Sequence, residues 1–264
     1  MIHQQYILSE KASIFLVERI PNKSYDWVTI LMPGFSQSVS DRNYFYNELS
    51  DELLKNGSAT VLFEPFGHGD SFGELFELEL DTVKNNIISI LEYIKKNFHN
   101  KRICFICRGV YSNLFFIEEL KNDVKLIIGI NPVYMSKDEA SLLLNNYNNY
   151  IDVNSCVKND NSLLNLLIKM GAEKNNICGQ IVKKQLLYDL LVLPEIINKD
   201  KFKFVLYNAK TDDFNVFNNI TNNNCFIEFD FLASIESRYK LINIIKNLIF
   251  MDGEMNENSS TGKK

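Results

Sequence analysis

The chain has 264 residues, 46% of them hydrophobic, which is ample for one sizeable core in a single α/β domain. Its formal net charge is -5, so no basic field gathers phosphate backbones and nucleic acid is not an expected partner. The opening residues, Met1 to Glu10, lack a basic segment followed by an apolar run, and the apolar stretch Ile87–Ile94 is broken by Ser89, Glu92 and Tyr93. A cytoplasmic protein without stable membrane insertion is the expectation.

In chain order, Gln5–Glu10 and Ser13–Ile20 read as two opening antiparallel strands. Trp27–Met32 is an apolar run that stops at Pro33-Gly34, a strand followed by a sharp turn. Asp41 is placed to cap a helix in which Tyr44, Phe45, Leu49 and Leu53 recur at helical spacing until Asn56-Gly57. Ala59–Phe66 is the next strand and Leu78–Phe98 a long amphipathic helix. Strand Ile103–Cys107, helical pattern Tyr111–Leu120 and strand Val124–Ile130 follow. Phe202–Tyr207 and Cys225–Phe231 close the sheet, and Ser234–Phe250 forms a last helix. This alternation predicts a doubly wound, mostly parallel sheet covered by helices.

Four parts are expected. Residues 1–135 are the N-terminal part of the core. Residues 136–200, rich in Asn, Leu and Lys with helical periodicity and no convincing strand, are a helical lid insertion. Residues 201–252 complete the core, and the polar tail 253–264 is disordered.

Five cysteines, at 104, 107, 156, 178 and 225, are odd in number and scattered, so no disulfide framework is expected. Cys104 and Cys107 form a C-x-x-C, but within a strand residues three apart point to opposite faces, which defeats a redox or zinc site. No His/Cys/Asp/Glu cluster has ligand spacing, and neither a metal nor a cofactor is expected.

Two turns carry a more specific signal. Pro33-Gly34-Phe35-Ser36 follows one strand, and Phe66-Gly67-His68-Gly69-Asp70-Ser71 follows the next. Together they resemble the α/β-hydrolase superfamily, with its oxyanion-loop turn and G-H-G-x-S turn, although Pro33 stands where that family usually has histidine. The likeness runs from about Trp27 to Pro132 and more loosely to the last helix. The lid segment Gly179–Leu190 is also similar to hydrolase-like proteins associated with exosortase systems, a short likeness that carries no role by itself.

The resemblance implies a G-x-S-x-G elbow that lifts a nucleophilic serine above the sheet, followed in chain order by an acid and a histidine. Here the elbow falls on Cys107-Arg108-Gly109-Val110-Tyr111, with Gly109 at the nucleophile position and bulky Tyr111 where a small residue belongs. A second register makes Cys107 the nucleophile and Gly109 the trailing small residue. The three histidines are His3, His68 and His99, so none lies near Asp230, where the catalytic base is expected. Asp212 or Asp213 matches the acid position; without a histidine to orient, a loop or cap role is the plainer reading. His68 is either a substitute base or a turn residue. Arg108 either binds an anion beside the elbow or pairs with a nearby acid. Ser36, Ser71 and Ser112 read as turn or hydrogen-bonding residues.

Two functions are therefore carried forward. In the first, the chain is a hydrolase-like protein without the triad serine and histidine. It binds a small apolar or acidic ligand, or a protein partner, through Gly34, Phe35, Ser36, Arg108, Gly109 and Val110. In the second, it is an active ester or thioester hydrolase, or an acyltransferase, rebuilt from Cys107, His68 and Asp212 or Asp213.

Overall fold

A computed structural model describes residues 1–10, 12–133, 135–155, 161–192, 203–208, 213–217 and 234–257. Its centre is an eight-stranded sheet of β1 (Ile2–Ser9), β2 (Ala12–Arg19), β3 (Trp27–Met32), β4 (Ser58–Phe63), β5 (Arg102–Arg108), β6 (Leu126–Ile130), β9 (Lys203–Asn208) and β10 (Asp213–Phe217). The spatial order is β1-β2-β4-β3-β5-β6-β9-β10. From β4 through β9 every neighbouring pair is parallel; β1–β2, β2–β4 and β9–β10 are antiparallel. The mostly parallel sheet is therefore as the sequence predicts.

Both faces of the sheet are buried, which explains why its central strands read as unbroken apolar runs. Val28, Ile30 and Met32 of β3 point into one core, and Trp27 and Leu31 into the other. Helix α1 (Phe45–Lys55) covers the second face with Phe45, Tyr46, Leu49 and Leu53, beside Leu241, Ile242, Ile245 and Ile249 of the last helix, α8 (Ile235–Glu257). Helix α2 (Leu80–Asn97) covers the first face with Val83, Ile87, Ile90 and Ile94. Cys107 lies in the first core and Cys104 in the second, so the C-x-x-C straddles the sheet as its strand spacing requires.

Several expectations need correction. Asp41 does not cap α1: the helix begins at Phe45 after a short 3-10 turn, and Tyr44, in a left-handed conformation, is its N-cap without a side-chain cap bond. The helical stretch after β5 is a 3-10 segment, Gly109–Phe116, before the short α3 (Glu118–Asp123). The segment between β6 and β9 is helical, with α4 (Lys137–Leu144), α5 (Ser162–Lys169), α6 (Lys174–Ile177) and α7 (Lys184–Leu191). It also holds a small antiparallel ribbon, β7 (Tyr150–Asp152) with β8 (Ile181–Lys183), which three-residue strands leave too short to read from periodicity. Strand β10 pairs antiparallel with β9, an element not expected from the sequence; the expected strand Cys225–Phe231 lies outside the described residues. Helix α8 runs on to Glu257, past Gly253 where the polar tail begins, and 258–264 lie outside the described residues.

Candidate functional site

Parallel strands deliver their following turns to the C-terminal edge of the sheet, where ligands bind in open α/β folds. Three turns meet there, after β3, β4 and β5. In the first, Gln37 N–H closes a turn on Gly34 C=O at 3.0 Å, and Ser36 takes a positive φ of 59°. In the second, Gly67 and Gly69 also have positive φ, and His68 N–H donates to Pro65 C=O at 3.0 Å. Ser71 Oγ donates to Glu64 C=O at 2.6 Å and accepts Phe15 N–H at 2.8 Å, so it is a turn residue tied to β2.

Glu64, just past the end of β4, joins the two turns. Its buried carboxylate accepts Val39 N–H at 2.8 Å and the N–H of Asp70. Burial pushes its pKa up, while those backbone donors pull it down. Sequence reasoning passed over this residue, since a glutamate beside Pro65 carries no motif.

Gly109 leaves β5 with φ +64°, a positive value as a strand-to-helix elbow requires and one that glycine adopts without strain. Cys107 lies inside β5, paired with Met32 and Gly129, its Sγ 3.9 Å from Ile128 C=O. It is 1% exposed, and burial pushes its pKa up to about 12. The elbow geometry thus belongs to Gly109, and the thiol sits under it within the sheet.

His68 is also buried, at 2% exposure, and burial lowers its pKa to about 4. Nδ1 lies 3.0 Å from Phe66 C=O, which can only accept, so the ring proton is on Nδ1. Nε2 is then an acceptor for Tyr111 O–H at 2.9 Å. Both ring nitrogens are engaged by a carbonyl and a phenol. Burial also raises the pKa of Tyr111, which keeps it protonated as that donor. Phe35 packs against both rings, with centroids 6.1 Å away in each case. Sequence reasoning takes Tyr111 as a departure from pattern; its hydroxyl is what holds His68.

Arg108 resolves to the ion-pair reading. Its Nε donates to Asp41 Oδ2 at 2.8 Å and Nη2 to Asp41 Oδ1 at 2.5 Å, while Nη2 also donates to Gly171 C=O at 2.8 Å. Asp41 carries φ 52°, so its backbone turns sharply while its carboxylate serves the guanidinium. Next in sequence, Val110 N–H donates to Met170 C=O at 3.0 Å.

The turn Met170–Gly171–Ala172 therefore sits on the elbow itself. A side chain on Gly109 would overlap Met170 C=O, and one on Gly34 would come within 2.6 Å of Arg108 Nη2 and 2.7 Å of Gly171 C=O. One on Gly171 would meet Gly34 Cα and Phe35 N at 2.9 Å. Three glycines from three distant stretches allow this approach. Backbone therefore fills the space beside the elbow. Gly34, Phe35, Arg108, Gly109 and Val110 of the predicted binding set are brought together around this turn, and Ser36, next to Phe35, is half-buried. Asp212 lies outside the described residues, and Asp213 opens β10 opposite Asn208.

Solved structures share this architecture. Est1E from Butyrivibrio proteoclasticus, in a complex with ferulic acid, superposes with a TM-score of 0.59 at 16% identity, over 92% of this chain and 99% of its own. A putative hydrolase from Agrobacterium vitis S4 gives 0.59 at 14% identity, over 94% and 99%. The α/β hydrolase GrgF from Penicillium sp. sh18 gives 0.56 at 15% identity, over 72% and 73%. This chain has the α/β-hydrolase fold. No family model and no curated protein matches it in sequence. At such identities the likeness carries the fold, and chemistry must be argued from the site. Among the described residues no group of three or more His, Cys, Asp or Glu is placed to hold a metal ion, and no helix is long and apolar enough to cross a membrane.

Proposed function

We propose that this protein is a non-hydrolytic α/β-hydrolase-like protein that acts by binding, with the segment 136–200 serving as a helical lid over the elbow. The observation that carries this reading is Gly109 at the elbow with φ +64°, its Cα face packed on Met170 C=O. A glycine has no group to attack an acyl carbon. The remaining chemistry supports the same reading: the histidine of the second turn is held neutral between Phe66 and Tyr111, and the sequence has no histidine after His99. The proposed ligand is a small apolar or acidic compound or a protein partner, bound beside the elbow, where Val110 N–H and Arg108 Nη2 are themselves taken up by the Met170 and Gly171 carbonyls.

The test is a fluorophosphonate probe together with a broad panel of esters and thioesters. Absence of labelling and of turnover above background is expected, with a rise in melting temperature for ligands that bind. Turnover that survives purification and disappears in Cys107→Ser or His68→Ala would refute the reading.

A further inference from the structure

Strand β1 (Ile2–Ser9) ends the sheet, with β2 on one side and no strand on the other. Met1 and Ile20 exchange both backbone hydrogen bonds, each at 2.9 Å, which fixes the alternation along this antiparallel pair. His3, Gln5, Ile7 and Ser9 therefore turn their backbone groups toward β2, while Ile2, Gln4, Tyr6 and Leu8 turn theirs to the open edge. The same four residues place their side chains on one face, where Ile2 is 65%, Tyr6 58% and Leu8 84% exposed. Proteins usually blunt an edge of this length with Lys, Pro or a bulge. This strand has no Asp, Glu, Lys, Arg or Pro, and it pairs with β2 in unbroken register.

We propose that β1 pairs antiparallel with β1 of a second copy of this chain, about a two-fold axis at Gln5, to make one continuous sheet across a homodimer. The occupant follows from the symmetry of the strand. Its outward residues lie evenly about Gln5, so one register satisfies all four: Ile2 faces Leu8 of the second copy, and Gln4 faces Tyr6 of the second copy. In that register no like charges meet and the apolar ends cover each other. Tyr6 is already seated on Phe15, with ring centroids 5.4 Å apart, which holds it on the shared face. An eight-residue strand is about 27 Å long, and pairing two along that length covers on the order of 1,000 Å² in total. That is the lower end for a specific interface and fits a dimer that fills as concentration rises. The edge lies four strands from β5, so this interface is independent of the elbow and of the binding function proposed there.

Sedimentation equilibrium on the full chain, from micromolar to near-millimolar concentration, is expected to show a reversible monomer–dimer equilibrium. Two double variants at exposed positions read the register. Ile2→Asp with Leu8→Asp sets like charges opposite each other at both ends and is expected to weaken the dimer at least about tenfold. Ile2→Lys with Leu8→Asp sets opposite charges in the same places and is expected to keep the dimer within about threefold, with a new sensitivity to salt. A wild-type chain that stays monomeric overturns the proposal and leaves the edge to a different polypeptide. A dimer that ignores both double variants, or is lost equally in both, overturns it as well. Should a variant fail to fold, hydrogen exchange on the wild type decides. The N–H groups of Gln4, Tyr6 and Leu8 are expected to slow at least about tenfold as the dimer fills, while those of Gln5 and Ile7, donated to β2, stay unchanged. Exchange at Gln4, Tyr6 and Leu8 that does not depend on concentration refutes the pairing.

Discussion

Arg108 and Asp41 lie 67 residues apart in sequence and meet as a buried pair, Nε to Oδ2 at 2.8 Å and Nη2 to Oδ1 at 2.5 Å. The pair ties the elbow strand to the loop before α1, and through Gly171 C=O it also tethers the turn after α5. Removing one partner leaves the other charge buried, at a cost of about 3–5 kcal/mol. Asp41→Asn and Arg108→Gln are therefore each expected to lower urea-unfolding stability strongly. The double variant should lose less than the sum of the two, since neither charge is then stranded.

His68 gives the protein an acid sensitivity. Its folded pKa of about 4 lies below an unfolded value of about 6.5, so between these limits the unfolded chain binds more protons. This contribution is fully present above pH 6.5 and is lost as the pH falls toward 4, at up to about 1.4 kcal/mol per unit. Glu64, whose pKa burial raises, acts in the opposite direction in acid. Comparing wild type with His68→Gln isolates the histidine: the wild type should lose stability more steeply below pH 6.5. Parallel stability curves would remove His68 as the cause.

A serine at the elbow is not expected to create an enzyme. Gly109→Ser places a side chain at φ +64° and against Met170 C=O, a strain of order 1–3 kcal/mol. Lower melting temperature and no gain of esterase turnover are expected, read by calorimetry and a chromogenic ester.

Glu64→Gln keeps one acceptor oxygen and loses the other, leaving either Val39 N–H or Asp70 N–H without its partner. A loss of about 1–3 kcal/mol is expected. Faster hydrogen exchange should appear at the two turns and nowhere else.

Cys107 and Cys104 should resist alkylation in the native protein at pH 8, because both are buried and burial raises the pKa of each. Cys178, half-buried between α6 and β8, should react before them. Rapid labelling of Cys107, located by mass spectrometry, would restore the thiol nucleophile as a working hypothesis.

The sheet was legible because its signals are local. Trp27–Met32 is an apolar run ended by Pro33-Gly34, and the strand in the structure has those same bounds. The turn at Gly67-His68-Gly69 is local in the same way, with positive φ at both glycines, whereas the elbow at Gly109 was placed through the resemblance to the α/β-hydrolase pattern. The sequence also determined that no histidine follows His99. What fills the site was not legible. Nothing near Gly171 announces that its carbonyl will meet Arg108, nor does anything near Asp41 announce the guanidinium. Helix spacing favoured Asp41 as a cap, and only the folded sheet brings β5 close enough to claim its carboxylate instead. Tertiary packing alone decided that three glycines, at 34, 109 and 171, would let one backbone turn close the elbow, because close approach depends on what is missing from each residue and leaves no periodic trace in the chain.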